Sequence, residues 1–296
     1  MVQRKFGSLG ATDRKLDMIG EYLAMYQSAL FGKFETTYID AFAGTGEVQF
    51  GETKNSLLDS DEEAKTVIAG SAVRAMGVTP PFSHYVFIDK RKKCIKALRR
   101  KFENNPNASR ITYRVGDANE QVQELCAHQG WKNRRGVVLL DPFGSQVDWV
   151  TVEAIAATKS LDLWYLFPAG LSVFRQIRSD GNVDPTHGPS LTRIFGTDDW
   201  KTAFLKPSSQ GDLFGAPPRT EKTVTAESAA EFMVEKMRSV FRGGVLDEMI
   251  PLGKHAYPSY YLLFAWGNES PKAKELAIKL SKAAIKATDR KHGRLI

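Results

Sequence analysis

Two cysteines in 296 residues are too few for a disulfide framework, and Cys94 and Cys126 lack the Cys-x-x-Cys spacing of a zinc or redox site. Both fall in segments of helical periodicity, where a small buried apolar residue is the plainer reading. The five histidines, His84, His128, His187, His255 and His292, form no metal-spaced pair, so no metal site is expected. No run approaches the roughly 18 to 20 apolar residues of a membrane span, which excludes a membrane helix. Residues 1–15 are basic but carry no apolar stretch of the secretory kind, and a reduced, cytoplasmic setting is expected. The G-x-x-x-x-G-K-[ST] run of P-loop enzymes is missing. So is the third glycine of the dinucleotide fingerprint in Ala43-Gly44-Thr45-Gly46-Glu47-Val48-Gln49. No internal repeat or low-complexity tract is present.

What remains is an ordinary globular composition, 42% apolar and 25% charged, with a formal net charge of +7. That length and composition supply one large α/β domain with a sizeable core. The basic balance fits a DNA or RNA partner, although many basic enzymes touch no nucleic acid.

Along the chain, Leu16, Ile19, Leu23, Tyr26 and Leu30 recur at helical spacing over residues 15–31, and Gly32 stops the pattern. The β-branched and aromatic run 36–40 predicts a buried strand. Residues 51–68 are polar and read as a surface excursion, followed by a short helix over 72–76. Strand and helix then alternate: strand 84–89, helix 91–102, strand 110–115, helix 119–128, strand 136–140, helix 150–157 and strand 161–167. The continuous apolar run of 136–140 suits a strand covered on both faces. Repeated strand-then-helix units predict a doubly wound, mainly parallel sheet with right-handed crossovers. Residues 168–222 break the rhythm with Gly181, Pro185, Gly188, Pro189 and Pro217-Pro218. They read as an insertion after the fifth strand within one domain spanning 1–296, facing the substrate side. Helix 226–241, an antiparallel pair near 248–252 and 259–266, and a basic helix over 271–287 complete the pattern, with residues 287–296 as a tail.

In such a sheet, ligands bind beyond the carboxyl ends of the strands, where strand order reverses. Four successive strands end in an acidic residue. The first ends in Asp40, followed by Phe42, Ala43, Gly44 and Gly46; glycines there let the backbone approach a ligand closely, and the carboxylate can take an ammonium group. The second ends in Asp89-Lys90, placed to accept both hydroxyls of a ribose. The third ends in Asp117-Ala118, where a carboxylate can accept from an adenine amine. The fourth ends in Asp141-Pro142-Phe143-Gly144. Singly, each has a local alternative: a tight turn for the glycines, a helix cap for Asp89 or Asp117, a backbone-bonded turn for Asp141. Four strand ends together point to a nucleoside-bearing cofactor.

The segments YIDAFAGTGEV, VFIDK, RVGDAN and LLDPFG resemble the first to fourth motifs of amino-group methyltransferases of class I. The fourth is similar to the D/N/S-P-P-Y/F/W loop of enzymes that methylate exocyclic amines of bases. It departs in having Phe143 where the second proline would stand and Gly144 where the aromatic residue would stand, which leaves base methylation open. Over residues 15–285 the chain resembles the three-Cys-motif partner (TcmP) family, through KLDMIGEYLAMY, YIDAFAGTG, FIDK, VGDAN, LLDPFGSQVDW, DLWYLFPAG, GTDDW and YYLLFAWGN. The resemblance implies a Rossmann-like, seven-stranded sheet with an antiparallel last strand, S-adenosylmethionine as cofactor, and a three-cysteine-motif protein as partner. A cofactor without a pyrophosphate needs no phosphate cradle, in keeping with the missing fingerprints.

For an exocyclic amine, Asp141 would accept one N–H, the Pro142 carbonyl the other, and Phe143 would stack on the base. Methylation of a protein or small molecule, and a non-catalytic cofactor-binding role, are the competing expectations. Trp149, Trp164, Tyr165 and Phe167 read as core, and Gly196–Trp200 as a turn opening a helix. The basic residues Lys272, Lys274, Lys279, Lys282, Lys286, Arg290, Lys291 and Arg294 read either as a solvated helical face or, with residues 91–93, as a polyanion track.

Overall fold

Period-two alternation divides the apolar residues of the central strands between two cores, one on each face of the sheet. Ile39, Val138, Leu140, Leu163, Tyr165 and Phe167 pack on one side. Their neighbours Tyr38, Val137, Leu139, Trp164 and Leu166 pack on the other. The computed structural model describes residues 9–51, 65–127, 129–207, 220–254 and 257–293.

Helix α1 (Leu9–Leu30) precedes the sheet, and strand β1 (Glu35–Asp40) opens it. The hairpin β2 (Glu47–Gly51) and β3 (Lys65–Ala69) and helix α2 (Ser71–Met76) follow. Then come β4 (His84–Asp89), α3 (Lys92–Phe102), β5 (Ile111–Val115), α4 (Ala118–Ala127), β6 (Arg134–Leu140), α5 (Trp149–Ala157) and β7 (Leu161–Phe167). A π-type turn, Ala169–Val173, runs into α6 (Phe174–Gln176), followed by α7 (His187–Phe195), α8 (Trp200–Phe204) and the short pair β8 (Leu205–Pro207) and β9 (Thr220–Lys222). Helix α9 (Ala226–Val240), strands β10 (Gly244–Val245), β11 (Ile250–Lys254) and β12 (Tyr257–Trp266), and helix α10 (Pro271–His292) close the chain.

The strand order is β5-β4-β1-β6-β7-β12, parallel from β5 to β7 and antiparallel between β7 and β12. The free edge of β12 is shared end to end: residues 257–262 pair with β11, while Ala265 and Trp266 pair with β10. Seven strand positions therefore hold eight strands, because a ten-residue strand outruns the short segment beside it. This is the Rossmann-like, mainly parallel sheet with antiparallel edge strands that the strand-helix alternation predicts. Trp149, Trp164, Tyr165 and Phe167 are all buried, as expected. From residues 168–222, Val173, Ile177, Leu191, Phe195, Trp200 and Phe204 join the same core as β7 and α9. Pro217 and Pro218 lie outside the described residues. Trp200 opens α8 after a turn in which the Asp199 N–H donates to Thr197 Oγ1 (3.3 Å).

Several boundaries differ from expectation, among them β6, β11 and β12 by two residues each. The polar excursion is bounded by an antiparallel hairpin, with Glu47 opposite Ala69 and Gly51 opposite Lys65; residues 52–64 lie outside the described residues. Helix α1 begins at Leu9 rather than at 15, and α10 runs through His292 rather than stopping near 287. Both extensions have one cause, a polar clasp between the two helix ends. Arg14 donates to Asp289 and to the Gly293 carbonyl (2.5 Å), and Asp17 takes Lys291 and His292, each at 2.6 Å. Burial of Asp17 would raise its pKa, but hydrogen bonds from Lys291, His292 and Arg74 outweigh it and hold the carboxyl at about 2. Among the described residues no helix is long and apolar enough to cross a membrane.

Candidate functional site

The chain leaves β1 toward β4 and β5 on one side and returns to β6 and β7 on the other. Strand order thus reverses between β1 and β6, and a crevice is expected beyond their carboxyl ends. The turn after β1 stays stitched to both neighbours: the Ala41 N–H donates to Leu139 O (3.1 Å) and the Ala43 N–H to Ile88 O (2.9 Å). Gly44 (φ +61°) and Gly46 (φ +81°) then reverse the chain in the left-handed region that favours glycine. Their surroundings differ. A Cβ on Gly46 would lie 3.0–3.2 Å from Leu98, Lys101 and Val73, whereas one on Gly44 would meet nothing nearer than 4.0 Å. Gly46 is packed; Gly44 faces space among the described residues.

Asp40 is fully buried. Its Oδ2 accepts from Ser71 Oγ (2.5 Å) and from the Tyr38 hydroxyl (3.4 Å), and its Oδ1 from the Phe42 N–H (3.2 Å). Burial pushes its pKa up to about 6; the Ser71 hydrogen bond opposes that, and the nearby Asp141 charge adds to it. Through these bonds Asp40 ties the turn after β1 to β1 itself and to α2. Phe42 is half-buried against one core, and Ala43 is buried in the other.

Asp89 is also buried, at the end of β4. It accepts the Gly44 N–H (3.1 Å), the Arg91 N–H (2.8 Å) and the Arg91 guanidinium through Nε (3.0 Å) and Nη2 (3.1 Å). Asp117, half-buried at the end of β5, accepts from the Asn119 N–H (3.0 Å) and Nδ2 (3.2 Å). Exposed Lys90 reaches toward it, 3.7 Å from Oδ2, and buried Ala118 opens α4. The cap foreseen as a local alternative is present at Asp117, whereas at Asp89 helix α3 has Arg91 at its N-cap position and the carboxylate bonds that residue ahead of the helix. These bonds do not exhaust the carboxylates, since each acid also meets a group from outside its own turn.

The fourth strand end is held from several directions. Asp141 Oδ2 pairs with Lys15 Nζ of α1. The Phe143 N–H donates to Gln146 Oε1 (2.9 Å), the Gln146 N–H to Gly144 O (2.7 Å), and Asn119 Nδ2 to Gln146 O (2.8 Å). Gln176 Nε2 donates to Ser145 Oγ (2.8 Å), and Arg193 Nη2 to Ser145 O (2.7 Å). Pro142 is buried, while Phe143 is 39% exposed. Burial pushes the Tyr260 hydroxyl up to about 12, with the Asp141 charge adding to the effect.

The carboxyl edge therefore gathers Asp40, Gly44, Asp89, Asp117 and Asp141, as the strand ends predict. Lys15, Ser71, Arg91 and Tyr260 join them without having been singled out as site residues. Nothing in their local sequence marks them, and Lys15 stands 126 positions from its partner. The lysines at 272, 274, 279, 282 and 286 are exposed, and so is Arg290. Lys291 is tied to Asp17, and Arg294 lies outside the described residues.

No family model and no curated protein matches the chain. Among solved structures it is similar to protein LPL1258 from Legionella pneumophila, at 10% identity over 93% of each chain with a TM-score of 0.48. It is also similar to an rRNA methylase from Streptococcus thermophilus (13% identity, 75% of this chain and 98% of that one, TM-score 0.31). A third is the CcbJ methyltransferase from Streptomyces caelestis (11%, 84% and 95%, TM-score 0.36). These are likenesses of fold and carry nothing about substrate.

The donor set fits an adenosyl cofactor. Among the described residues a positive-φ glycine has nothing close in front of it, and carboxylates able to accept from hydroxyls and an amine stand at or just past the next two strand ends. Arg91 and the Gly44 amide are the groups that ribose hydroxyls would share or displace at Asp89.

Proposed function

We propose that the chain is an S-adenosylmethionine-dependent methyltransferase acting on an exocyclic amine of a nucleic-acid base. One observation carries the reading: four strand-end carboxylates gather at the reversal of strand order, the last beside a half-exposed phenylalanine. In this reading Asp89 accepts the ribose hydroxyls, Asp117 the adenine amine, and Gly44 and Gly46 give the backbone its close approach. Phe42, Ala43, Lys90 and Ala118 line the pocket. Asp40 holds the turn through Ser71, Tyr38 and Phe42, and meets an ammonium group only if those bonds rearrange. The cofactor, when bound, supplies an electrophilic methyl group.

Asp141 accepts one N–H of the acceptor amine and draws its lone pair out of conjugation. The Pro142 carbonyl takes the second N–H, and Phe143 stacks on the ring. Residues 168–222 supply the substrate-facing wall in this scheme, and the exposed lysines of α10 attract the polyanion. A second reading, a protein or small-molecule acceptor, is favoured by the tail, whose Lys291 and His292 are spent on Asp17. A three-cysteine-motif protein is the partner this chain would serve in either case.

Calorimetry with S-adenosylmethionine tests the cofactor. Filter binding to DNA and RNA from about 50 to 200 mM salt tests the acceptor, because phosphate contacts release counterions and weaken steeply over that range. Asp141→Ala is expected to abolish methyl transfer and spare nucleic-acid affinity. Absence of binding at the low-salt end sinks the nucleic-acid reading and leaves the second.

A further inference from the structure

The first turns of α1 carry an unusual density of buried charge. Arg14, Lys15 and Asp17 are each less than a tenth exposed. Buried charges are tolerated when they are paired, and each of these finds its partner on a different element. Arg14 reaches Asp289 and Gly293 at the end of α10. Asp17 takes Lys291 and His292 from the same turn and Arg74 from α2, while Arg74 also pairs with Asp13 (2.6 Å). Lys15 alone of this group points to the sheet edge, onto Asp141.

The geometry points to Lys15 as a positioning residue for Asp141, held in place by the clasp that the last turn of α10 makes on Arg14 and Asp17. It deepens the methyl-transfer reading, since it rests on Asp141 being the group that touches the acceptor.

Asp141 and buried Asp40 stand close enough for their charges to repel, and Lys15 offsets that repulsion. Lys15 engages Oδ2, and in the methyl-transfer reading Oδ1 is then the oxygen that accepts from the acceptor amine. Without the cation, the Asp141 carboxylate would turn from Asp40 toward water and carry the 141–146 loop with it. The apolar stripe of α1, from Met18 to Tyr26, anchors the rest of the helix in the core. The turns before it have chiefly polar attachments, so the clasp decides where Lys15 sits.

Hydrogen exchange on the full chain, with neither cofactor nor acceptor added, reads this directly. The Phe143 and Gln146 amides are both hydrogen-bonded within the loop and serve as reporters. Lys15→Met, which keeps the length of the side chain and removes the charge, is expected to speed their exchange by about fivefold or more, the scale of a modest local destabilisation. Lys15→Arg should return them toward the parent rate, a rescue that a packing role would not require. Asp289→Ala with His292→Ala, made at the far side of α1, should speed the same amides and those of residues 10–17. Parent-like exchange of Phe143 and Gln146 in Lys15→Met overturns the proposal, as does Lys15→Arg exchanging as fast as Lys15→Met. If Lys15→Met does not fold, the clasp variant decides by the same amides. Calorimetry of the parent with S-adenosylmethionine keeps the two readings apart. Binding with an unresponsive loop sinks only this inference, and a responsive loop without binding sinks only the cofactor reading.

Discussion

The two edges of the central sheet differ in degree: the amino edge holds one desolvated carboxylate, Asp162, on the Tyr22 hydroxyl (2.8 Å), and the carboxyl edge gathers several charges. At the amino edge, Phe31, Lys33, Phe34, Ser83, His84 and Arg110 line an open cleft of about 690 Å³, and Phe31 is 56% exposed. At the carboxyl edge Lys15, Asp40 and Asp89 are nearly or wholly buried, each with named partners. Holding charges out of water costs free energy unless each is paired, and each of these is.

The sharpest way to break this contrast is to remove the buried charge. As pH rises from about 4 to about 6, the unfolded chain releases the Asp40 proton before the folded chain does. Stability from this group therefore falls across that window and is level above it. Asp40→Asn should abolish this slope. The stability difference between variant and parent should move in the variant's favour by up to about 3 kcal/mol from pH 4 to 7. Urea unfolding at the two pH values measures it, and a difference that does not change with pH would show that Asp40 is not the strained charge described.

A smaller effect tests the ligand side of the same edge. Asp89→Ala removes the acceptor for Gly44 and Arg91 and leaves ribose hydroxyls unpaired. S-adenosylmethionine binding should weaken by about 1.5 to 3 kcal/mol in calorimetry. Parent-like affinity would remove Asp89 from the cofactor site. The smallest effect belongs to the amino edge: Phe31→Ala should change stability by about 0.5 kcal/mol or less and leave cofactor affinity alone. A loss of affinity there would put the site at the wrong edge of the sheet.

Much of this edge was legible in the chain. The run 136–140 is apolar without interruption because β6 is covered on both faces. Asp40, Asp89 and Asp141 announce themselves because each ends or directly follows a strand, and Asp117 stands two residues past β5; strand ends follow from local periodicity. The roles were less legible. Asp40 reads as an open carboxylate in sequence, but Ser71 and Tyr38 enclose it, and Ser71 arrives from a helix 31 positions further on. The end of α10 reads as a polar tail because its bases show no apolar stripe. It is helical because α1 offers it Arg14 and Asp17.

The sequence by itself determined the alternation of strands and helices, the division of apolar residues between two cores, and the four acidic strand ends. Each of these depends on residues within one or two turns of one another, or on a period of two or 3.6. Only the tertiary structure decided that Lys15 meets Asp141, that Arg91 covers Asp89, that Tyr260 lies within the field of Asp141, and that β10 and β11 share one edge of β12. The physical reason is the same for most of these. A charge buried at a sheet edge must find its counterpart in three dimensions, and local pattern does not say which distant element will supply it.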